Sequence, residues 1–219
     1  IFINPSQFND KKDFTRYPRN FKNDISILKK LKVDYVFLPS NEEIYKRGIK
    51  KKIKILKKDI VLCAKYRKGH FQGVLAVMNR FMNNINASHV FLGEKDFQQI
   101  YLIKKYLQNK SKSKIVSFKT IRNSNKLPLS SRNILLSNKF INKSEKISKL
   151  LFSFKKKLSS NFVNIKLLKS YKSQIRKFCD KIEYLEIRNN KNLSKNISGK
   201  NFRIFIAYWQ SGTRLIDNI

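Results

Sequence analysis

Lys95, Asp96, Gln98 and Gln99 crowd into one stretch, His89-Val-Phe-Leu-Gly-Glu-Lys-Asp-Phe-Gln-Gln99. The stretch reads as a buried strand over Val90 to Leu92, a glycine turn at Gly93 and a helix opening near Asp96. Glycine at position 93 permits a tight turn and a close approach of backbone to ligand. The N–H groups at the start of a helix are unpaired and lie at its positive end, which suits phosphate. Lys95 adds a mobile point charge, Asp96 can cap the helix or bind a ribose hydroxyl, and the glutamines offer neutral amides to a small polar substrate. The plain alternative is a strand–turn–helix with a capping aspartate and a solvated lysine. In Leu129-Ser-Ser-Arg-Asn133, two hydroxyls followed by arginine can wrap phosphate oxygens; the plain alternative is a serine-capped turn. In Ile3-Asn-Pro-Ser-Gln-Phe8, Asn4 and Gln7 are amides beyond a strand end, where open parallel sheets bind ligands, or simply parts of a proline turn. His70, at a helix start, and His89, before a strand, read as structural hydrogen-bonding groups.

The elements that must position these groups alternate. Ile1 to Ile3 reads as the end of a buried strand, and Asp13 to Pro18 as an irregular polar segment. Phe21, Ile25 and Leu28 recur at helical spacing. Val33 to Leu38 reads as a short apolar strand, Ser40 to Tyr45 as a capped helical turn, and residues 46–62, basic and β-leaning, as a peripheral strand or excursion. Lys68-Gly-His-Phe71 opens a helix with Val74, Met78, Phe81 and Ile85 on one face. The helix after Asp96 runs to Leu107, and a strand follows over Ile115 to Ile121. This alternation predicts a parallel α/β sheet. Beyond residue 128 the pattern changes. Ile147, Leu150, Phe154 and Leu158 form a helical stripe, a second helix covers 165–178, and strands follow at Ile182 to Ile187 and Phe202 to Tyr208. The expected division is an α/β domain over 1–128 and a small α+β domain over 129–219.

With 41% hydrophobic residues, 17 Phe and 9 Tyr in 219 residues, the chain is a folded protein rather than a disordered one. No apolar run approaches the ~20 residues that span a membrane. Cys63 and Cys179 show no metal or redox spacing and fit a reducing compartment. The net charge of +35 points first to nucleic acid or an anionic membrane. Its distribution argues otherwise: lysines cover nearly every polar face, and the aromatic–basic interleaving of an RNA-binding sheet is missing.

Taken in order, Ile3-Asn-Pro-Ser-Gln-Phe8, Arg67-Lys-Gly-His-Phe71, Phe91 to Gln99 and Leu129-Ser-Ser-Arg-Asn133 resemble the pantothenate synthetase family. Ile182-Glu-Tyr-Leu-Glu186 and Gly212-Thr-Arg-Leu-Ile-Asp-Asn218 extend the resemblance through the C-terminal part. It implies a Rossmann-like nucleotidyltransferase domain, here without its first strand and helix, and a small C-terminal lid. The implied reaction joins pantoate to β-alanine: ATP and pantoate form pantoyl adenylate and pyrophosphate, then the amine displaces AMP. By the same resemblance Gln7 and Gln99 bind pantoate, while Gln7 and Asn4 border β-alanine. Gly93, Glu94, Lys95 and Asp96 hold the nucleotide, Ile121 meets adenine through its backbone, and Leu129, Ser130, Ser131 and Arg132 form the phosphate loop. Lys95 and Arg132 are the catalytic cations, with magnesium carried on the phosphates and no metal ligands expected in the chain. A homodimer in the cytoplasm, with no specific nucleic acid or membrane partner, is also implied. The family's His-x-Gly-His motif, which includes its proton donor, is expected upstream of Ile1, so the chain is expected to be an N-terminally truncated and impaired member. The family's Asp-Gly before the serine loop is Asn125-Lys126 here, and Pro128 replaces a small residue. The alternatives are another ligase of the nucleotidyltransferase superfamily and a basic nucleic-acid-binding α/β protein; the paired glutamines favour pantoate.

Overall fold

The computed structural model describes residues 1–45, 53–158, 165–197 and 201–219. Short helices open the chain: α1 (Lys11–Arg16), α2 (Phe21–Lys30), α3 (Asn41–Tyr45) and α4 (Cys63–Tyr66). The first three begin where a side chain replaces a missing backbone partner. Asp10 accepts the Lys12 N–H at 2.8 Å and Asn20 accepts that of Asn23 at 3.2 Å. Ser40 and Glu43 form a reciprocal capping box at 3.1 and 2.6 Å, as the sequence led us to expect.

Helix α5 (His70–Asn84) buries Phe71, Val74, Leu75, Val77 and Met82. The expected face was only partly right: Val74 is buried, Met78 and Phe81 are half-buried, and Ile85 lies exposed beyond the last turn. Strand β1 (His89–Gly93), helix α6 (Phe97–Leu107) and strand β2 (Lys114–Phe118) follow. The strands pair in parallel from His89–Lys114 to Gly93–Phe118, and α6 crosses between them, burying Ile100, Leu102, Ile103 and Leu107. This is the β-α-β unit that the alternating pattern predicted.

Several strand expectations are not met. β1 is not buried: Phe91 is 61% exposed, because β1 has β2 as its one ladder partner among the described residues and fronts an open apolar groove. Ile1 to Ile3 and Val33 to Leu38 are not strands, although the Ile1 amino group donates to the Phe37 carbonyl. Apolar, β-prone residues become a strand only when a partner ladder exists. Of the basic segment, 46–52 lies outside the described residues, and 53–62 holds a 3₁₀ turn at Lys57–Asp59 rather than a strand. Buried Asp59 fastens that turn to α6 by accepting from Tyr106 at 2.6 Å, Lys105 at 2.8 Å and Tyr101 at 3.1 Å.

The C-terminal part contains α7 (Asn138–Lys157), α8 (Ile165–Arg176) and an antiparallel sheet of β3 (Lys181–Asn189), β4 (Phe202–Gln210) and β5 (Thr213–Asn218). Ile147, Leu151, Phe154, Tyr171 and Ile175 of the helices pack on Leu185, Ile187, Ile204 and Ile206 of the sheet. Tyr184, Phe205 and Ala207 join the other core, beneath α5 and α6. β5 was not anticipated as a strand. It is made by the two-residue turn Ser211-Gly212, with φ of 48° and 71°, the backbone that matches hairpin twist.

Lys126 adopts φ 73°, a left-handed conformation, at the position where the resemblance has glycine. Its side chain costs ~1–2 kcal/mol there, partly offset by the extra freedom glycine has when unfolded. Lys126→Gly is therefore expected to raise stability by up to about 1 kcal/mol, read as a higher denaturation midpoint; a lower midpoint would show that the turn tolerates lysine without strain.

Candidate active site

A cavity of about 200 Å³ opens between the loops after the β-α-β strands and the last strand of the C-terminal sheet. Gln7, Lys95, Gln99 and Arg132 all line it, joined by Arg67, His70 and Arg214. The sequence pointed to the first four; the structure brings them together.

Gln7 ends the 3₁₀ turn Pro5–Gln7. Asn4 holds that turn: its Oδ1 accepts from Ser6 N at 3.2 Å, Ser6 Oγ at 2.9 Å and Tyr45 OH at 2.8 Å, and its Nδ2 donates to Gly73 O at 3.0 Å. Asn4 is 2% exposed and does not line the cavity. Its side chain supports the turn that carries Gln7.

The Gln7 carbonyl is the next link. It accepts from His70 Nδ1 at 2.7 Å and from Arg67 Nη2 at 3.3 Å. A carbonyl only accepts and a guanidinium only donates, so His70 carries its proton on Nδ1 and takes the Arg67 Nη1–H on Nε2 at 3.1 Å. Burial first, then the Arg67 charge, push the imidazole pKa down to about 3. His70 is thus a neutral orienting group, as its helix-start position suggested.

This has a consequence for acid stability. Below the unfolded-state value near 6.5 the unfolded chain takes a proton that folded His70 refuses. The contribution is intact above pH 6.5 and is lost as pH falls toward 3, amounting to about 3 kcal/mol by pH 4. Urea unfolding at pH 7 and pH 4.5 is expected to show a shallower acid loss in His70→Gln than in the native chain. Parallel losses would remove His70 as the cause.

Lys95 and Asp96 sit on the 3₁₀ turn Glu94–Asp96 that leads into α6. Gly93 is extended, with φ −80° and ψ 131°, so it makes no tight turn; a Cβ there would meet open space. Asp96 does not cap α6 with its side chain, and pairs loosely with Lys95 at 3.7 Å. The turn is held from behind by β5. Asn218 Nδ2 donates to Glu94 O at 2.9 Å and Lys95 O at 2.7 Å, and its Oδ1 accepts from Arg203 at 2.6 Å. Glu94 itself is engaged by Arg203 at 3.1 Å and Ser117 at 3.4 Å. Neither Gly93 nor Glu94 lines the cavity. Asn218→Ala leaves two backbone carbonyls short of donors, and is expected to destabilise by about 1–3 kcal/mol; an unchanged denaturation midpoint would show that the turn carrying Lys95 is held without it.

On the serine loop, Ser130 Oγ accepts the Arg132 N–H at 3.3 Å, capping the turn Ser131–Leu135. Arg132 is only partly solvated: it pairs with Asp13 at 2.9 Å and lies 5.1 Å over the Tyr17 ring. Ser130 and Arg132 line the cavity, whereas Ser131 is exposed. Ile121 and Leu129, 73% and 56% exposed, lie outside it, joined by a Leu129 N to Ile121 O bond of 3.0 Å.

Arg67 and Arg214 were not anticipated as site residues. Arg67 could have been read from its place three residues before His70. Arg214 reaches the cavity only because β5 folds back, where Glu183 takes its Nη2 at 2.5 Å and Cys63 Sγ lies 3.4 Å away. Burial, then the nearby Arg214 charge, bring the Arg67 pKa down to about 10. Burial also lowers that of Arg214, but Cys63 and Glu183 outweigh it and hold the value above normal.

A parallel β-α-β body, a cation-lined cavity at its loops and a small sheet closing over it define an α/β enzyme for small anionic substrates. The family model described as Pantoate-beta-alanine ligase matches residues 1–219. Among curated relatives, pantothenate synthetase of Sulfurihydrogenibium sp. is 35% identical over all of this chain and 80% of its own length. That of Leptospira interrogans is 38% identical over all of this chain and 79% of its own. A crystal structure of the Thermus thermophilus pantothenate synthetase superposes with TM-score 0.90 at 28% identity, all of this chain covering 81% of it. The Francisella tularensis pantoate-beta-alanine ligase, solved as a complex with beta-gamma ATP and β-alanine, gives 0.84 at 35% identity, covered to 77%. The chain belongs to the pantoate-beta-alanine ligase family, and its function is pantothenate synthesis.

Proposed function

We propose that the cavity binds pantoate between Gln7 and Gln99 and activates it with ATP held by Lys95 and Arg132. The observation that carries this is the meeting, in one cavity, of two amides and two cations drawn from segments far apart in sequence. Pantoate's carboxylate attacks the α-phosphorus, pyrophosphate departs, and the amine of β-alanine then displaces AMP from the acyl carbon. No covalent enzyme intermediate is needed, so the protein's contribution is positioning and stabilisation of the departing charge. Asp96 and the open space over Gly93 leave room for the ribose, and adenine is assigned to the exposed Ile121–Leu129 edge, where the Leu129 N–H donates to the Ile121 carbonyl. Glu94 serves indirectly, by fixing the turn that carries Lys95. Ser130 and Ser131 place hydroxyls beside Arg132 for the phosphates.

Magnesium enters this reading only as the companion of the triphosphate. Among the described residues no three His, Cys, Asp or Glu side chains converge to hold a metal. The reading also includes a nucleotide- and pantoate-binding domain over 1–128, a C-terminal lid over 129–219, a homodimer and a cytoplasmic setting, supported by the family's pattern. Among the described residues no helix is long and apolar enough to cross a membrane. Pantoate-dependent ATP–pyrophosphate exchange tests the reading directly. Exchange should require pantoate and persist at moderate salt; exchange indifferent to pantoate would overturn the substrate assignment.

A further inference from the structure

Among the described residues, one cation in the cavity forms no ion pair. Arg214 is matched by Glu183 at 2.5 Å, Arg132 by Asp13 at 2.9 Å, and Lys95 stands 3.7 Å from Asp96. Arg67, by contrast, is held by the neutral His70 ring at 3.1 Å and the Gln7 carbonyl at 3.3 Å. Among the described residues no carboxylate lies within ion-pair distance of it. The like charges of Arg214 and Arg132 oppose it, and Cys63 and the Asp13 carboxylate, which is engaged by Arg132, offset that only in part. Enclosing a cation away from water without a counter-ion is unfavourable. The local structure nevertheless fixes this one: His70 is locked into the tautomer that accepts from it, and Gln7 is anchored by Asn4 and the Pro5–Gln7 turn. Such an arrangement leaves the forked N–H edge of a guanidinium ready for a planar anion.

Two carboxylates enter the reaction proposed above. Pantoate's forms the bond to phosphorus, and an arginine clamped on it would weaken it as a nucleophile. The carboxylate of β-alanine takes no part in bond making; its amine forms the amide bond while the acyl C–O bond to AMP breaks and the amine proton passes to solvent. We propose that Arg67 binds this unreacting carboxylate and so selects, in the second step, amines that carry an acid group at the far end. The inference rests on the reading of the cavity as a pantoate-activating site.

The test separates the two half-reactions in the native chain, Arg67→Met and Arg67→Lys. Each is assayed for pantoate-dependent ATP–pyrophosphate exchange and for amide formation with β-alanine or with β-alaninamide, which lacks the charge. Arg67→Met is expected to lose amide formation from β-alanine by about 30- to 100-fold more than it loses exchange, as befits a lost charged hydrogen bond. Its preference for β-alanine over β-alaninamide should collapse toward unity, and Arg67→Lys should recover part of that preference. A purely structural Arg67 would lower both amines equally, and an unaltered preference overturns the proposal. Exchange falling as far as amide formation would assign Arg67 to pantoate or nucleotide instead. A native chain that discriminates between the amines but exchanges without pantoate would overturn the cavity reading while sustaining a carboxylate site at Arg67.

Discussion

Lys95→Ala is expected to slow pantoate-dependent ATP–pyrophosphate exchange by about 10²–10³-fold, the cost typical of removing one preorganised donor at developing charge. Stability should barely move. The ammonium is partly exposed and its pairing with Asp96, at 3.7 Å, is loose, the kind of pair worth about 0–1 kcal/mol. Its backbone position is fixed independently by the Asn218 side chain, so truncation leaves the turn in place. Exchange kinetics and a thermal melt on the same preparation decide the matter. Native-like exchange would remove Lys95 from the phosphate site, and a large drop in melting temperature would recast it as a structural residue.

Gly73→Ala should damage both folding and turnover. A Cβ at Gly73 would sit 2.5 Å from Ser6 O, 2.7 Å from Ser6 C and 2.9 Å from Ser6 Oγ, and the first two are backbone atoms that cannot swing aside. Helix α5 is pinned by buried Phe71, Val74 and Leu75, so the Pro5–Gln7 turn is the part that gives way. Overpacking of this kind costs about 1–3 kcal/mol. The displaced turn carries Gln7 and, through its carbonyl, the anchor of His70 and Arg67. A shift near 1 Å in such a scaffold can cost on the order of 10² in rate. Denaturation and steady-state assays of the variant would show the two losses together; full activity in a destabilised variant would mean that Gln7 does not depend on this contact.

What could be read in advance was local. The capping box at Ser40, helices α5 and α6 and the parallel pair β1–β2 follow from spacing over a few residues, and Lys95 and Gln99 lie within one continuous stretch. Ile1 to Ile3 and Val33 to Leu38 misled because apolar composition signals a strand without supplying its partner. Glycine misled in the same way: Gly93 is extended, whereas Leu62 and Lys126, with side chains, take left-handed backbones at φ 49° and 73°. The hydrogen bonds that Asn4 makes to Gly73 and Tyr45 were not legible because those partners are distant in sequence. Arg214 meets Cys63 across 151 positions, a proximity that only the hairpin at Ser211-Gly212 creates.

The ion pair between Asp13 and Arg132 has a consequence for turnover. Arg132 already has an anion, so a phosphate that recruits it performs an exchange of counter-ions rather than a simple capture. The gain on binding is the difference between two attractions, which weakens the hold on the incoming nucleotide. If Arg132 holds phosphate as proposed, the same difference works in the opposite direction at the end of the cycle, when Asp13 is placed to reclaim the guanidinium as pyrophosphate departs. An arginine without such an internal competitor would grip its product more tightly and release it more slowly.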